Sequence, residues 1–132
     1  MSQSIIDHVG LKVSDIGRSA EFYREALKTL GIELLADFTH GGERHVGFGV
    51  DRPKFWISSG RPLRGETHVA FTAESRAEVE AFHAVALSTG GRDNGAPGVR
   101  AEYHPHYFGA FALDPDGNNI EAVCHHRPED TP

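Results

Sequence analysis

The sequence predicts an α+β fold made of two strand–helix–three-strand (βαβββ) modules in tandem, and three observations predict it. First, Asp7-His8-Val9-Gly10-Leu11-Lys12-Val13-Ser14-Asp15 recurs in weakened form sixty positions later, as Thr67-His68-Val69-Ala70-Phe71-Thr72-Ala73-Glu74-Ser75. Second, the likeness continues: Phe22, Leu27 and Gly31 lie 14, 19 and 23 residues after His8, and Phe82, Leu87 and Gly91 lie at the same offsets from His68. Third, turn residues cut the remainder of each half into three short segments of strand character. A period near sixty is longer than that of solenoid or propeller repeats and leaves room for two modules.

Residues 5–13 read as the first strand. Alternation puts His8, Gly10 and Lys12 on one face and Val9, Leu11 and Val13 on the other. Asp15 or Ser14 caps a helix whose apolar stripe is Phe22, Tyr23, Ala26, Leu27 and Leu30, and Gly31 is its stop. Strands over 32–38, 45–50 and 55–58 follow, separated by Gly41-Gly42 and Asp51-Arg52-Pro53 and ended by Gly60. Module one thus covers about 5–60, and a linker over about 61–65 leads to module two at about 66–126.

The second module opens with a strand over 67–73, with His68, Ala70 and Thr72 on one face. Ser75 and Glu78 form a capping box for a helix whose buried side is Val79, Phe82, Ala86 and Leu87, and Gly90-Gly91 ends it. A loop over 93–98, a strand over 99–103 and the break His104-Pro105-His106 come next. A strand over 108–113 leads through Asp114-Pro115-Asp116-Gly117, a type I turn signal, to the last strand at 119–125. Residues 127–132 read as a frayed tail.

Composition narrows the function classes. At 132 residues, 39% hydrophobic and 24% charged, the chain is expected to be one soluble globular domain. A net charge of -6 argues against nucleic acid or anionic lipid as a main partner. No apolar run reaches membrane-spanning length, and Met1-Ser2-Gln3-Ser4 shows no secretory signal, so a cytoplasmic location is expected. The lone Cys124 excludes an internal disulfide and alternates with the buried set, as an inert core thiol would.

Glu121 is the residue that most needs a reason. It sits mid-strand among apolar neighbours, and an unpartnered buried carboxylate is costly, so a cation, a metal or water should meet it. If the non-helix face of each strand looks into one cavity, His8, His68 and Glu121 converge there. Two imidazoles and one carboxylate with open positions suit Fe(II), Mn(II), Ni(II) or Zn(II). The competing reading makes the two histidines half-buried strand residues and puts Glu121 on an exposed face.

Four stretches together carry a family resemblance: Ile6-Asp7-His8-Val9, Ala20-Glu21-Phe22-Tyr23-Arg24-Glu25-Ala26-Leu27, Thr67-His68-Val69-Ala70-Phe71 and Asp114-Pro115-Asp116-Gly117-Asn118-Asn119-Ile120-Glu121-Ala122-Val123. They resemble the vicinal oxygen chelate superfamily, which includes glyoxalase I, bleomycin-resistance proteins, fosfomycin-resistance thiol transferases and extradiol dioxygenases. The resemblance implies that the βαβββ modules form a cupped cavity of mixed β-sheet, and that the protein is a homodimer acting on a small molecule. It also implies His8, His68 and Glu121 as ligands of a divalent metal (Fe, Mn, Ni, Co or Zn). Glyoxalase I uses a fourth ligand, usually Glu, on the last strand of the first module, where this sequence has Trp56. A three-ligand enzyme of lyase, isomerase or dioxygenase type is therefore expected, acting on a substrate with two neighbouring oxygens. Tyr103, His104, His106 and His125 are its candidate acids or bases, because Pro105 breaks the strand pattern at a cavity rim and His125 shares a face with Glu121. Trp56 and Ser58 would line the cavity wall, although Trp56 also suits ordinary core or dimer packing. The alternative is a metal-free protein of the bleomycin-resistance type that sequesters a flat ligand.

Overall fold

The computed structural model describes residues 6–62 and 67–127. The expected start of the first strand, the N-terminal tetrapeptide, part of the linker (63–65) and the tail from 128 lie outside the described residues. The elements run β1 (Val9–Val13), α1 (Ile16–Lys28), β2 (Glu33–His40), β3 (Glu43–Gly49), β4 (Pro53–Ser59), β5 (His68–Thr72), α2 (Arg76–Ser88), β6 (Arg92–Val99), β7 (Phe108–Leu113) and β8 (Asn119–Cys124). Each half is therefore βαβββ, as the repeat predicts. Two four-stranded mixed sheets result, ordered β1-β4-β3-β2 and β5-β8-β7-β6. In each, the first strand lies parallel to the last, which the intervening helix makes possible, and the other pairings are antiparallel.

Local chemistry fixes the elements. Asp15, not Ser14, caps α1, its carboxylate accepting from the Arg18 N–H at 3.1 Å. Ser14 instead donates to Asp116, from its backbone N–H at 3.0 Å and from its hydroxyl, tying the end of β1 to the β7–β8 turn. Ser75 caps α2 through the Glu78 N–H, and Glu78 reaches back to the Glu74 N–H at 2.9 Å. In the β7–β8 turn the buried Asp114 carboxylate accepts from the Asp116 and Asn118 N–H groups, the Asn118 amide and the Tyr23 hydroxyl. Burial, then the Asp114 charge, holds the Tyr23 phenol well above the usual tyrosine range. This turn pins module two to α1 of module one and aligns β8.

One apolar core serves both halves and lies on the helix side of the sheets. Its aromatic spine crosses the module boundary: Tyr23 packs on Phe55 at 4.9 Å, and Phe55 meets Phe71 edge-on at 5.0 Å. Cys124 is fully buried there.

The structure corrects the sequence reading in two places. The stretch 93–98 is strand, not loop: β6 carries register shifts at Asp93/Gly95 and Gly95/Gly98, so Asn94, Ala96 and Pro97 bulge out of the ladder. Residues 100–107 are correspondingly turn, closed by the Arg100 N–H bonded to the Tyr107 carbonyl at 2.7 Å. Leu87 is 38% exposed, and α2 buries Val79, Phe82 and Ala86 instead. Among the described residues no helix is long and apolar enough to cross a membrane.

Candidate functional site

The face of each sheet opposite the core carries a hollow. In the second sheet it is lined by His68, Tyr103, Tyr107, Phe111, Asn119 and Glu121. Glu121 sits in the middle of β8, opposite Ala70 on β5 and Phe111 on β7, and is 1% exposed. Its two oxygens have separate partners. Oε1 lies 3.1 Å from His68 Nε2, and Oε2 accepts the Tyr107 hydroxyl. Gly109 makes this possible: a Cβ there would fall 3.1 Å from Glu121 Oε2 and 3.1 Å from the Tyr107 ring. Burial first, and then the bond to Glu121, pushes the Tyr107 phenol well above the ordinary tyrosine range.

A second layer surrounds this pair. Asn119 Nδ2 meets His68 Nδ1 at 2.8 Å, and Asn94 Nδ2 donates to Asn119 Oδ1 at 3.1 Å. Phe111 lies nearly parallel to the His68 ring, with centroids 6.1 Å apart, and the Arg100 guanidinium covers Phe111 from 5.4 Å.

The hollow of the first sheet is lined by His8, Gly10, Phe38, His45, Trp56 and Ser58. His8 Nδ1 lies 2.8 Å from Asp7 Oδ1, and the imidazole is 61% exposed. The His8 bond, helped by Arg52, holds the Asp7 carboxyl below its usual range. Trp56 lies across Gly47, where a Cβ would come within 2.8 Å of the indole. Phe38 stacks on His45 at 5.3 Å and meets the Trp56 edge at 5.8 Å, so this hollow has an aromatic wall.

The register makes the internal comparison quantitative. Gly10, two residues after His8, pairs with Trp56, whereas Ala70, two residues after His68, pairs with Glu121. Trp56 is therefore the counterpart of Glu121 in the first module, and an indole supplies no metal ligand.

One chain brings His68 and Glu121 together and places His8 in the other hollow, which shares no lining residue with theirs. Among the described residues no group of three His, Cys, Asp or Glu is close enough to hold a metal ion. Tyr103 lines the second hollow and packs on Tyr107 at 5.0 Å. His104, His106 and His125 form a ring cluster on its rim, with His125 against Tyr107 at 5.3 Å, so their route to Glu121 runs through Tyr107. Ser58 is nearly buried and lines the first hollow beside Trp56. Sequence reasoning missed Tyr107, Asn119, Phe38 and His45. The signal for the first two was period-two alternation, which places Tyr107 with Gly109 and Phe111, and Asn119 with Glu121.

Comparison with known proteins agrees with this architecture. A solved glyoxalase/bleomycin resistance protein from Albidiferax ferrireducens T118 is 28% identical, with 92% of this chain and 99% of that one covered and a TM-score of 0.71. Glyoxalase I from Zea mays (22% identity, TM-score 0.70) aligns over 90% of this chain, which spans 45% of the maize chain. TnmS3, an antibiotic binding protein from Streptomyces sp. CB03234, is 22% identical over 94% of this chain and 98% of its own, with a TM-score of 0.63. At such identities the last two show the fold alone. No curated protein matches the sequence. The family model for the Glyoxalase/Bleomycin resistance protein/Dioxygenase superfamily matches residues 5–122, nearly the whole of both modules, and the chain belongs to that superfamily.

Proposed function

We propose that this chain is a divalent-metal-dependent enzyme of lyase, isomerase or dioxygenase type, acting as a homodimer on a small substrate with two neighbouring oxygens. The observation that carries the reading is Glu121: a carboxylate buried at the floor of a hollow, with an imidazole on one oxygen and a phenol on the other. Burial of such a group is costly, and a catalytic or ligating role is a common reason for it. The donor set fits a metal, since a carboxylate oxygen and an imidazole nitrogen already lie 3.1 Å apart in one hollow. His8 of the partner subunit would complete the set. In support, His8 is well exposed in a hollow of its own, as a residue awaiting a second surface would be.

A bound divalent cation would supply Lewis acidity towards substrate oxygens. The chain's own residues would do the rest. Tyr107 holds Glu121 by one oxygen, and the other lies against His68 Nε2. Trp56, Phe38 and His45 would seat the flat part of the substrate and keep water from it. Proton exchange would fall to the rim, where Tyr103 and His125 flank Tyr107. Trp56 in place of a fourth ligand argues against true glyoxalase I activity.

The aromatic wall also favours a second reading, a metal-free protein that sequesters a flat ligand. Elemental analysis separates the two. Protein purified without chelator or histidine tag should hold about one metal ion per chain, and His8→Ala and Glu121→Ala should each lose it. An empty wild type that stays empty after exposure to Fe, Mn, Ni, Co and Zn would remove the enzyme reading and leave the binder.

A further inference from the structure

The chain has three asparagines, and their settings differ. Asn118 is 4% exposed, its amide is bonded to Asp114 Oδ2 at 2.8 Å, and the backbone N–H that follows it is held by the Thr67 carbonyl at 3.1 Å. Asn119 precedes Ile120, a fully buried β-branched residue inside the β7–β8 ladder. Asn94 is unlike both. It is exposed, it is followed by Gly95, and the register shift between Asp93 and Gly95 leaves it out of the β6–β7 ladder. Gly95 has φ +150°, a conformation that favours glycine, and its bare Cα leaves its nitrogen open to the side chain before it. That nitrogen donates to Asp93 Oδ1 at 3.0 Å, and the same oxygen lies 2.9 Å from His83 Nε2. The Gly95 bond, and after it the His83 contact, holds the Asp93 carboxyl below its usual range, so it is a carboxylate at neutral pH.

We propose that Asn94-Gly95 is a self-deamidation site with Asp93 as its base, and that the reaction places a new negative charge at the border of the second hollow. Gly95 N attacks Asn94 Cγ as its proton passes to Asp93 Oδ1. The new N–Cγ bond forms and the Cγ–Nδ2 bond breaks. The departing nitrogen takes the proton back from Asp93 and leaves as ammonia, so Asp93 is regenerated. Water then opens the five-membered imide. Attack at Cγ gives aspartate, and attack at the main-chain carbonyl gives isoaspartate. One water is consumed and one ammonia released, with no oxidant or reductant. The extra carbon that isoaspartate adds to the main chain falls where the ladder already carries an extra residue. Position gives the charge its consequence. The side-chain amides of Asn94 and Asn119 lie 3.1 Å apart, and Asn119 lines the second hollow. Either product puts an anion where a neutral amide met Asn119.

The test is peptide mapping by mass spectrometry of the folded full chain, incubated at neutral pH and sampled over weeks. Wild type should gain the mass of one deamidation at Asn94, as aspartate plus isoaspartate, while Asn118 and Asn119 stay intact. Asp93→Asn keeps the shape and the acceptor oxygen but removes the base. It should slow conversion about 10–100-fold, at or below the low end for a positioned base, because a carboxylate held below its usual range is a weak one. Asp93→Ser should slow it likewise, which keeps the test decisive if Asp93→Asn does not fold. The side-chain amide signal of Asn119 in nitrogen NMR reads the consequence. It should move in Asn94→Asp, and in ageing wild type in proportion to conversion, and stay constant over the same period in Asn94→Gln. None of these readouts depends on metal, so the outcome is independent of the enzyme reading above. Wild type that converts at Asn94 no faster than at Asn118 or Asn119 overturns the proposal. So does conversion that is as fast in the Asp93 variants as in wild type, or an Asn119 signal that conversion leaves unmoved.

Discussion

Tyr107 shows how one hydroxyl can decide the behaviour of a buried carboxylate. Glu121 has given up its water, and the Tyr107 O–H replaces it on one oxygen with a charge-assisted hydrogen bond. The same bond, together with burial, disfavours the phenolate and raises the Tyr107 pKa. The sign of the linkage follows. A group whose folded pKa is raised contributes stability that is fully present below its unfolded value, about 10 for tyrosine, and is lost as pH climbs towards the folded value. Tyr107→Phe removes that contribution. The difference between the alkaline phenolate titrations of wild type and Tyr107→Phe should therefore be centred above about 10, and wild type should lose its stability advantage over the variant as pH rises past that point. A difference curve centred at or below free tyrosine would mean that Tyr107 does not hold Glu121 in solution.

At the scale of elements, β4 and β8 are the same strand used twice, with Trp56 and Glu121 at the equivalent rung. What lies beneath each differs accordingly. Glu121 sits over Gly109, whose missing side chain admits the carboxylate and Tyr107, whereas Trp56 lies flat over Gly47. Gly47→Ala would put a Cβ 2.8 Å from both Pro53 and the indole. Neither neighbour can yield without moving β4, so the substitution should cost about 1–3 kcal/mol in denaturant unfolding. It should also shift the emission of Trp56, the single tryptophan. Unchanged stability and emission would show that the indole does not rest on β3.

What the sequence made legible follows the range of the forces involved. The Asp15 and Ser75 caps, the Asp114–Gly117 turn and the paired His strands depend on neighbours within a few residues, and they could be read directly. The strand β6 could not, because Asn94-Gly95-Ala96-Pro97-Gly98 has the composition of a loop and is held extended by its pairing with β7, at Gly95–Phe111 and Gly98–Gly109. Tyr107 was hidden for a similar reason: its partner is fourteen residues away in sequence and reachable only across Gly109. Alternation told which face His8 and His68 share with their own neighbours, but not how one sheet stands to the other. That separation was the largest feature of the site beyond reach of the sequence.

At the scale of the whole molecule, the helices and the inner faces of both sheets share one core, and the outer faces are left as two hollows. Strands β1 and β5 are each paired on one side only, so each sheet ends in an open edge beside its histidine. A two-fold dimer that set the first hollow of one chain against the second hollow of its partner would cover both faces at once, because a two-fold axis generates the contact twice. The prediction that tests this arrangement uses two damaged chains. His8→Ala and Glu121→Ala, each alone, should bind no metal. Co-expressed with different non-histidine tags and isolated as the mixed dimer, they place intact His8 of one chain against intact His68 and Glu121 of the other at one of the two sites. The mixed dimer should therefore recover about one metal ion per dimer, while the opposite site carries both lesions and stays empty. If every site were built within a single chain, mixing would restore nothing, and a mixed dimer without metal would refute the shared site.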